Sequence, residues 1–214
     1  MSAPQLLEEV AAEVKACTTC KLYTGARQGV PGEGPATAEI LLIGEGPGFY
    51  EDQQGRPFVG ASGKFLEELL GTIGLQRQDV FITNVVKHRP PGNRDPEPDE
   101  IAACAGYLDR QIAAIQPKVI VTLGRYSMAR YFPGARISAI HGQARLVDGR
   151  LVVAMFHPAA ALHQQSLRQT LIDDIKKLPA YIARAKGTAT PPAPPPPAAE
   201  PEPEDKGPQQ LSFF

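Results

Sequence analysis

The sequence predicts an α/β fold, a three-layer α/β/α sandwich around a central four-stranded, mostly parallel sheet. Three observations predict it. Four short runs are apolar almost throughout: "EILLIG" (39–44), "DVFITN" (79–84), "KVIVTLG" (118–124) and "LVVAMF" (151–156). They are too short for helices and read as strands buried on both faces. The segments between them carry apolar residues at helical spacing. Strands interleaved with helices run parallel, with helices covering both faces of the sheet.

The elements follow in order. A helix over roughly Gln5–Ala16 precedes the first strand. A helical pattern begins near Ser62 ("SGKFLEELLGTIG") and stops at a glycine before strand two. A helix from about Glu97 places Ile101, Ala105, Leu108, Ile112 and Ile115 at helical spacing, with Pro96 and Pro98 near its start, where proline is tolerated. Strand three leads into a short helix around Tyr126–Tyr131. After strand four, one amphipathic helix runs from about Ser166 to Arg184.

The domain spans residues 1–186. Beyond it, nine of the 22 prolines lie between Pro191 and Pro208. Such a stretch cannot build a core, so residues 187–214 are expected to form a disordered tail. It ends in "QQLSFF", which reads as an apolar docking peptide on a tether. Four acids and one base give this tail −3, so the remaining 186 residues carry +2 of the net −1. That balance is compatible with a polyanionic partner. No apolar run reaches the roughly 18–20 residues of a membrane span. The N-terminus lacks the basic-then-apolar pattern of a signal peptide. A soluble, cytoplasmic, monomeric protein is expected.

Three cysteines do not make a disulfide framework; in a reducing compartment they point to ligands or free thiols. Cys17 and Cys20 form a C-x-x-C pair, which reads as half of a metal site whose other ligands the spacing alone does not reveal.

In open α/β sheets, ligands bind beyond the carboxyl ends of the strands. Here the strands run into "GEGPGFYED", "TNVVKHRPPGNR", "LGRYS" and "FHPAAAL", and these four segments are expected to converge. The glycine-rich turn 44–48 has neither dinucleotide-fingerprint nor P-loop spacing. Glu45 within it is a candidate general base or water-orienting carboxylate, or else a solvated loop acid. His157 can donate to an oxygen that gains charge, or be satisfied by local backbone. Asn84 offers a bidentate amide edge. Phe58 reads first as core. Lys87, Arg89 and Arg94 lie in a loop suited to phosphate, or simply to solvent.

With "CTTC", "GEGPGFYED", "GRPFVGASGK", "ITNVVKHRPPGNR", "AAC" and "FHPAAAL" in this order, residues 10–180 resemble a family-four uracil-DNA glycosylase, the iron–sulfur type of that superfamily. The resemblance implies a [4Fe–4S] cluster on Cys17, Cys20, His88 and Cys104. His88 stands in "KHRPP" where the family usually has cysteine, a replacement shared with a DNA-crosslinking subfamily. A histidine ligand is compatible with a cluster, and three cysteines with one histidine could also hold zinc. The crosslinking subfamily's longer histidine-bearing loop is missing between residues 89 and 103, so turnover is expected. His141 stands where many members have arginine.

The resemblance also implies the roles. Phe58 stacks under a flipped uracil, Asn84 reads its O4/N3 edge, and Glu51 lies near C5. His157 stabilises charge on O2. Glu45, with the backbone at Gly46, positions water. Family-one enzymes have an aspartate where Gly46 stands. Ser62 and Lys64 suit a phosphate, and Leu162 is the wedge that fills the gap left by the base. "QLSFF" (210–214) resembles a bacterial sliding-clamp-binding peptide. The alternatives are a silent DNA-binding module, a glycosylase of broader range on deaminated bases, and a zinc protein of this fold.

Overall fold

A computed structural model describes residues 1–187. The rest of the proline-rich tail and the QLSFF end lie outside the described residues.

Helix α1 (Ala3–Ala16) opens with a capping box, Ser2 and Gln5 satisfying each other's backbone N–H groups. Strand β1 (Ile40–Gly44) is followed by α2 (Phe49–Gln54) and α3 (Ala61–Gly71). Strand β2 (Phe81–Asn84) leads through the "KHRPPGN" loop to α4 (Pro98–Ile115), and β3 (Val119–Leu123) to α5 (Arg125–Ala129) and α6 (Ile137–Ile140). Strands β4 (Ala144–Val147) and β5 (Arg150–Met155) follow, then α7 (Pro158–His163), α8 (Gln165–Ile175) and α9 (Leu178–Ala185).

The sheet has the order β2-β1-β3-β5-β4, with the first four strands parallel. These are the four strands the apolar runs predict. The sheet has a fifth, β4, antiparallel to β5 and joined to it through Asp148 and Gly149, both at positive φ. Its "ARLV" escapes an apolar-run criterion because this edge strand leaves Arg145 and Leu146 exposed. The C-terminal helix also differs. It is two helices, broken at Lys176–Lys177, because Pro179 cannot continue a helix interior but suits the first turn of α9.

Alternation along each strand divides the core into two layers. Ile40 and Leu42 face Phe65, Leu69, Leu171 and Ile175, from α3 and α8. Leu41 and Ile43 face Leu108, Ile115 and Met128, from α4 and α5. The chain leaves β1 in one direction to β2 and later returns to β3 on its other side. That reversal opens a crevice at the carboxyl ends of the strands.

Candidate active site and cluster ligands

A cavity of about 390 Å³ lies in this crevice. Glu45, Gly46, Pro47, Gly48 and Glu51 line it from the β1 side, and Phe58 and Ser62 from the α3 side. Asn84, Pro90, Asn93 and Arg94 come from β2 and its loop, and His157 and Ala159 follow β5. Three of the four expected segments thus meet. The β3 segment contributes from behind, where Gly124 packs on His157.

The floor depends on a missing side chain. A Cβ on Gly44 would lie 2.4 Å from Asn84 Oδ1 and 2.6 Å from the Phe58 ring. Glycine at the end of β1 therefore lets the amide and the ring close together. Asn84 is buried, and its Oδ1 has no hydrogen-bond partner. An unpaired buried acceptor is costly, so one facing a cavity is a place for a ligand's N–H. The β2 ladder continues past Asn84, with Val85 N donating to Gly44 O and Val86 N to Glu45 O, both at 3.1 Å. This fixes Glu45 beside the amide.

His157 stacks on Phe58, ring centroids 5.5 Å apart and planes 27° from parallel. Its Nδ1 accepts the Ala159 N–H at 3.1 Å, capping α7. The proton of the neutral ring is thereby placed on Nε2, a donor. Burial pushes the His157 pKa down to about 4, against a smaller opposite pull from Glu51. The Glu45 carboxyl is half-buried. Burial raises its pKa and nearby Asp95 raises it further, while Arg125 opposes. A carboxylate held in this way is a better base than a solvated one. Glu51 is buried, and its Oε1 accepts from Val59 N and Gly60 N at 2.9 Å each.

The basic residues separate into two groups. Lys64 is exposed on the first turn of α3, beside half-buried Ser62, and Arg89 lies over the exposed Phe49 ring at 5.2 Å. Lys87 corrects the sequence expectation: it is fully buried and cannot reach a phosphate. Its Nζ donates to Thr83 Oγ1 (2.6 Å), Gln111 Oε1 (2.8 Å) and the Asn84 carbonyl (2.9 Å). Burial pushes its pKa down to about 7, yet three acceptors match the three N–H bonds of the ammonium form. Lys87 thus anchors the backbone of Asn84. Arg94 lines the cavity, but its guanidinium is spent on a bidentate pair with buried Glu100, at 2.6 and 2.9 Å. Leu162 stands 45% exposed on α7, the helix that also carries pocket-lining Ala159. His141 Nδ1 meets buried Asp174 at 2.7 Å and its ring packs on Phe156, so it ties α8 to the residue before His157.

Among the described residues, no three His, Cys, Asp or Glu side chains close on a single metal ion. The three thiols nonetheless share one neighbourhood. Cys20 and Cys104 pack with Leu22 and Val86, and Cys104 feels the charges of both Cys20 and Cys17. Burial pushes the Cys104 thiol up to about 11. At Cys17 burial acts in the same direction, and bonds to Thr19 and Tyr107 outweigh it. His88 is buried with Nδ1 unpartnered, and burial lowers its pKa, which keeps the imidazole in the neutral, ligating form. Three soft thiols and an orphaned imidazole fit an iron–sulfur group.

A planar acceptor-and-donor edge, a stacking ring and a carboxylate in one pocket are the groups a base-binding hydrolase needs. The profile of the uracil DNA glycosylase superfamily matches residues 31–178. A type-4 uracil-DNA glycosylase of Sulfurisphaera tokodaii is 49% identical over 182 residues, covering 80% of this chain and 83% of the relative. Those of Archaeoglobus fulgidus (45% over 181 residues; 80% and 91%) and Thermotoga maritima (42% over 185; 84% and 96%) are similar over comparable lengths. The chain belongs to the uracil-DNA glycosylase superfamily, in its type-4 branch.

Proposed function

We propose that this pocket hydrolyses the N-glycosidic bond of deoxyuridine in DNA, the first step of base excision. The observation that carries it is the buried, unpartnered Oδ1 of Asn84 in a cavity that also presents His157 and Phe58. Uracil supplies the N3–H which that oxygen lacks, and the Asn84 amide N–H meets O4. Cytosine exchanges both groups and leaves them mismatched.

The base reaches the pocket only by leaving the helical stack. Phe58 then supports its face, and Glu51 closes the side toward C5, where thymine carries a methyl. Glu45 accepts a proton from water as the water oxygen bonds to C1′. The C1′–N1 bond breaks and its electron pair moves into the uracil ring. His157 Nε2–H donates to O2, where that charge collects. The products are free uracil and an abasic site.

Lys64, Ser62 and Arg89 support phosphate contact around the mouth, and Leu162 fills the vacated stack. Cys17, Cys20, His88 and Cys104 would hold a [4Fe–4S] cluster. Bound there, it would cross-link the N-terminal segment, the β2 loop and α4; the hydrolysis itself moves no electrons. The similarity of residues 210–214 to a clamp-binding peptide supports a further contact with a sliding clamp.

The test is base release from a uracil-containing single-stranded oligonucleotide, with a thymine control and a His157→Ala variant. Alkali-labile sites at uracil only, reduced in the variant, are expected. Tight DNA binding with no release would overturn the reading.

A further inference from the structure

We propose that Arg77, outside the pocket and 19 positions from Phe58, is a positioning residue that holds the uracil-stacking ring in place. The proposal rests on the glycosylase reading of the pocket.

Phe58 needs such support. Its φ of 51° lies in the left-handed region, which an aromatic side chain rarely occupies. A residue persists there only where its surroundings over-determine it. The turn 57–60 is held from two sides. Arg77 donates from one terminal nitrogen to the Phe58 carbonyl at 2.8 Å and from the other to the Pro57 carbonyl. Glu51 accepts from the next two backbone N–H groups, Val59 and Gly60. One guanidinium thus holds two consecutive carbonyls, and one carboxylate holds the two consecutive amides that follow. Gly63 completes the clamp: a Cβ there would lie 1.9 Å from the Phe58 carbonyl oxygen.

Glu51 lines the catalytic pocket; Arg77 lies behind it, in a separate cavity, and its side chain is only 16% exposed. It is aimed by Glu33, 3.3 Å from one terminal nitrogen. Glu33 is in turn fixed to β2 by reciprocal backbone bonds with Ile82 and held by Arg56. The fork geometry matters. A lysine presents its donors from a single nitrogen and lacks the planar fork whose two terminal nitrogens each meet one carbonyl here.

The experiment is a double-mutant cycle of Arg77→Ala with Phe58→Ala, read as kcat and KM for uracil release and as inhibition by free uracil. If Arg77 acts through the ring, Arg77→Ala lowers kcat/KM by about 10- to 100-fold and weakens inhibition by uracil. In the Phe58→Ala background the same substitution should then cost less than about 3-fold, because the ring it positions is gone. Arg77→Lys should fall between Ala and wild type, and it carries the same cycle if Arg77→Ala does not fold. Equal losses in both backgrounds, or full activity of Arg77→Ala, would overturn the proposal. A wild-type protein that releases no uracil is a different outcome: it removes the glycosylase reading and, with it, the basis of this one.

Discussion

The backbone N–H of Ala159 donates to Nδ1 of His157, and this one bond decides what the imidazole can do. It leaves Nε2 as the protonated nitrogen, and burial keeps the ring neutral. In the proposed reaction, the group facing the departing uracil is therefore a neutral donor that needs no reorganisation. Removing one such donor typically costs about 10²–10³-fold in rate. His157→Ala is expected to lose that much in kcat with a smaller change in KM, measured by single-turnover base release. The same residue sets a stability trend. Its pKa falls from 6.5 to about 4 on folding, so the unfolded chain takes up the proton first. Stability should be unaffected by His157 above pH 6.5 and decline as pH falls toward 4. His157→Ala should flatten that decline in thermal melts.

With Glu45 as the proposed base, its ionisation should set the acid side of the rate profile. It must be ionised to accept a proton from water, and burial, reinforced by Asp95, raises its pKa above the ordinary carboxylate value. Activity should therefore fall on acidification at a pH above that of a solvated glutamate. Glu45→Gln should remove this limb and lower kcat by about 10²–10⁴-fold, the usual contribution of a general base. An unchanged acid limb in the variant would reassign it to another group.

The two predicted phosphate lysines should behave oppositely. Lys64 is exposed, so Lys64→Ala should weaken DNA binding on all sequences and reduce the salt slope by about one. Lys87 touches no solvent. Lys87→Met should leave the salt slope alone and destabilise the fold by about 1–3 kcal/mol, because Thr83, Gln111 and the Asn84 carbonyl lose a shared donor. Fluorescence anisotropy across a salt series and urea melts separate the two effects.

That contrast shows where the sequence stops being legible. The four parallel strands are readable because each is apolar on both faces, and the meeting of Glu45, Asn84 and His157 because each closes or comes just after such a strand. Lys87 looks like a loop cation, since its acceptors come from Thr83, Pro31's partner Gln111 and the β2 backbone, which only tertiary packing unites. Arg77 carries no motif at all; its partners are backbone carbonyls, which no side-chain pattern announces. Two misses did leave a signal. Asp148-Gly149 is a two-residue hairpin dipeptide that marks β4, and Pro179 marks the break before α9.

His88 provides the sharpest test of the cluster ligands. Its Nδ1 is buried and orphaned, and Cys104 is a buried thiol that bonds the backbone of the neighbouring Lys87. If both bind iron, Cys104→Ser and His88→Ala should each lose iron content and visible absorbance and lower the thermal midpoint. His88→Cys should keep the absorbance with an altered spectrum, since a thiolate replaces an imidazole of different donor strength. Chelation of iron from the wild type should lower the melting temperature before it lowers the rate of uracil release, because the catalytic groups stand on β1, β2 and the segment after β5 rather than on the ligands. A His88→Ala protein that retains full iron and an unchanged spectrum would mean that three cysteines suffice and that the unpartnered Nδ1 serves another ligand.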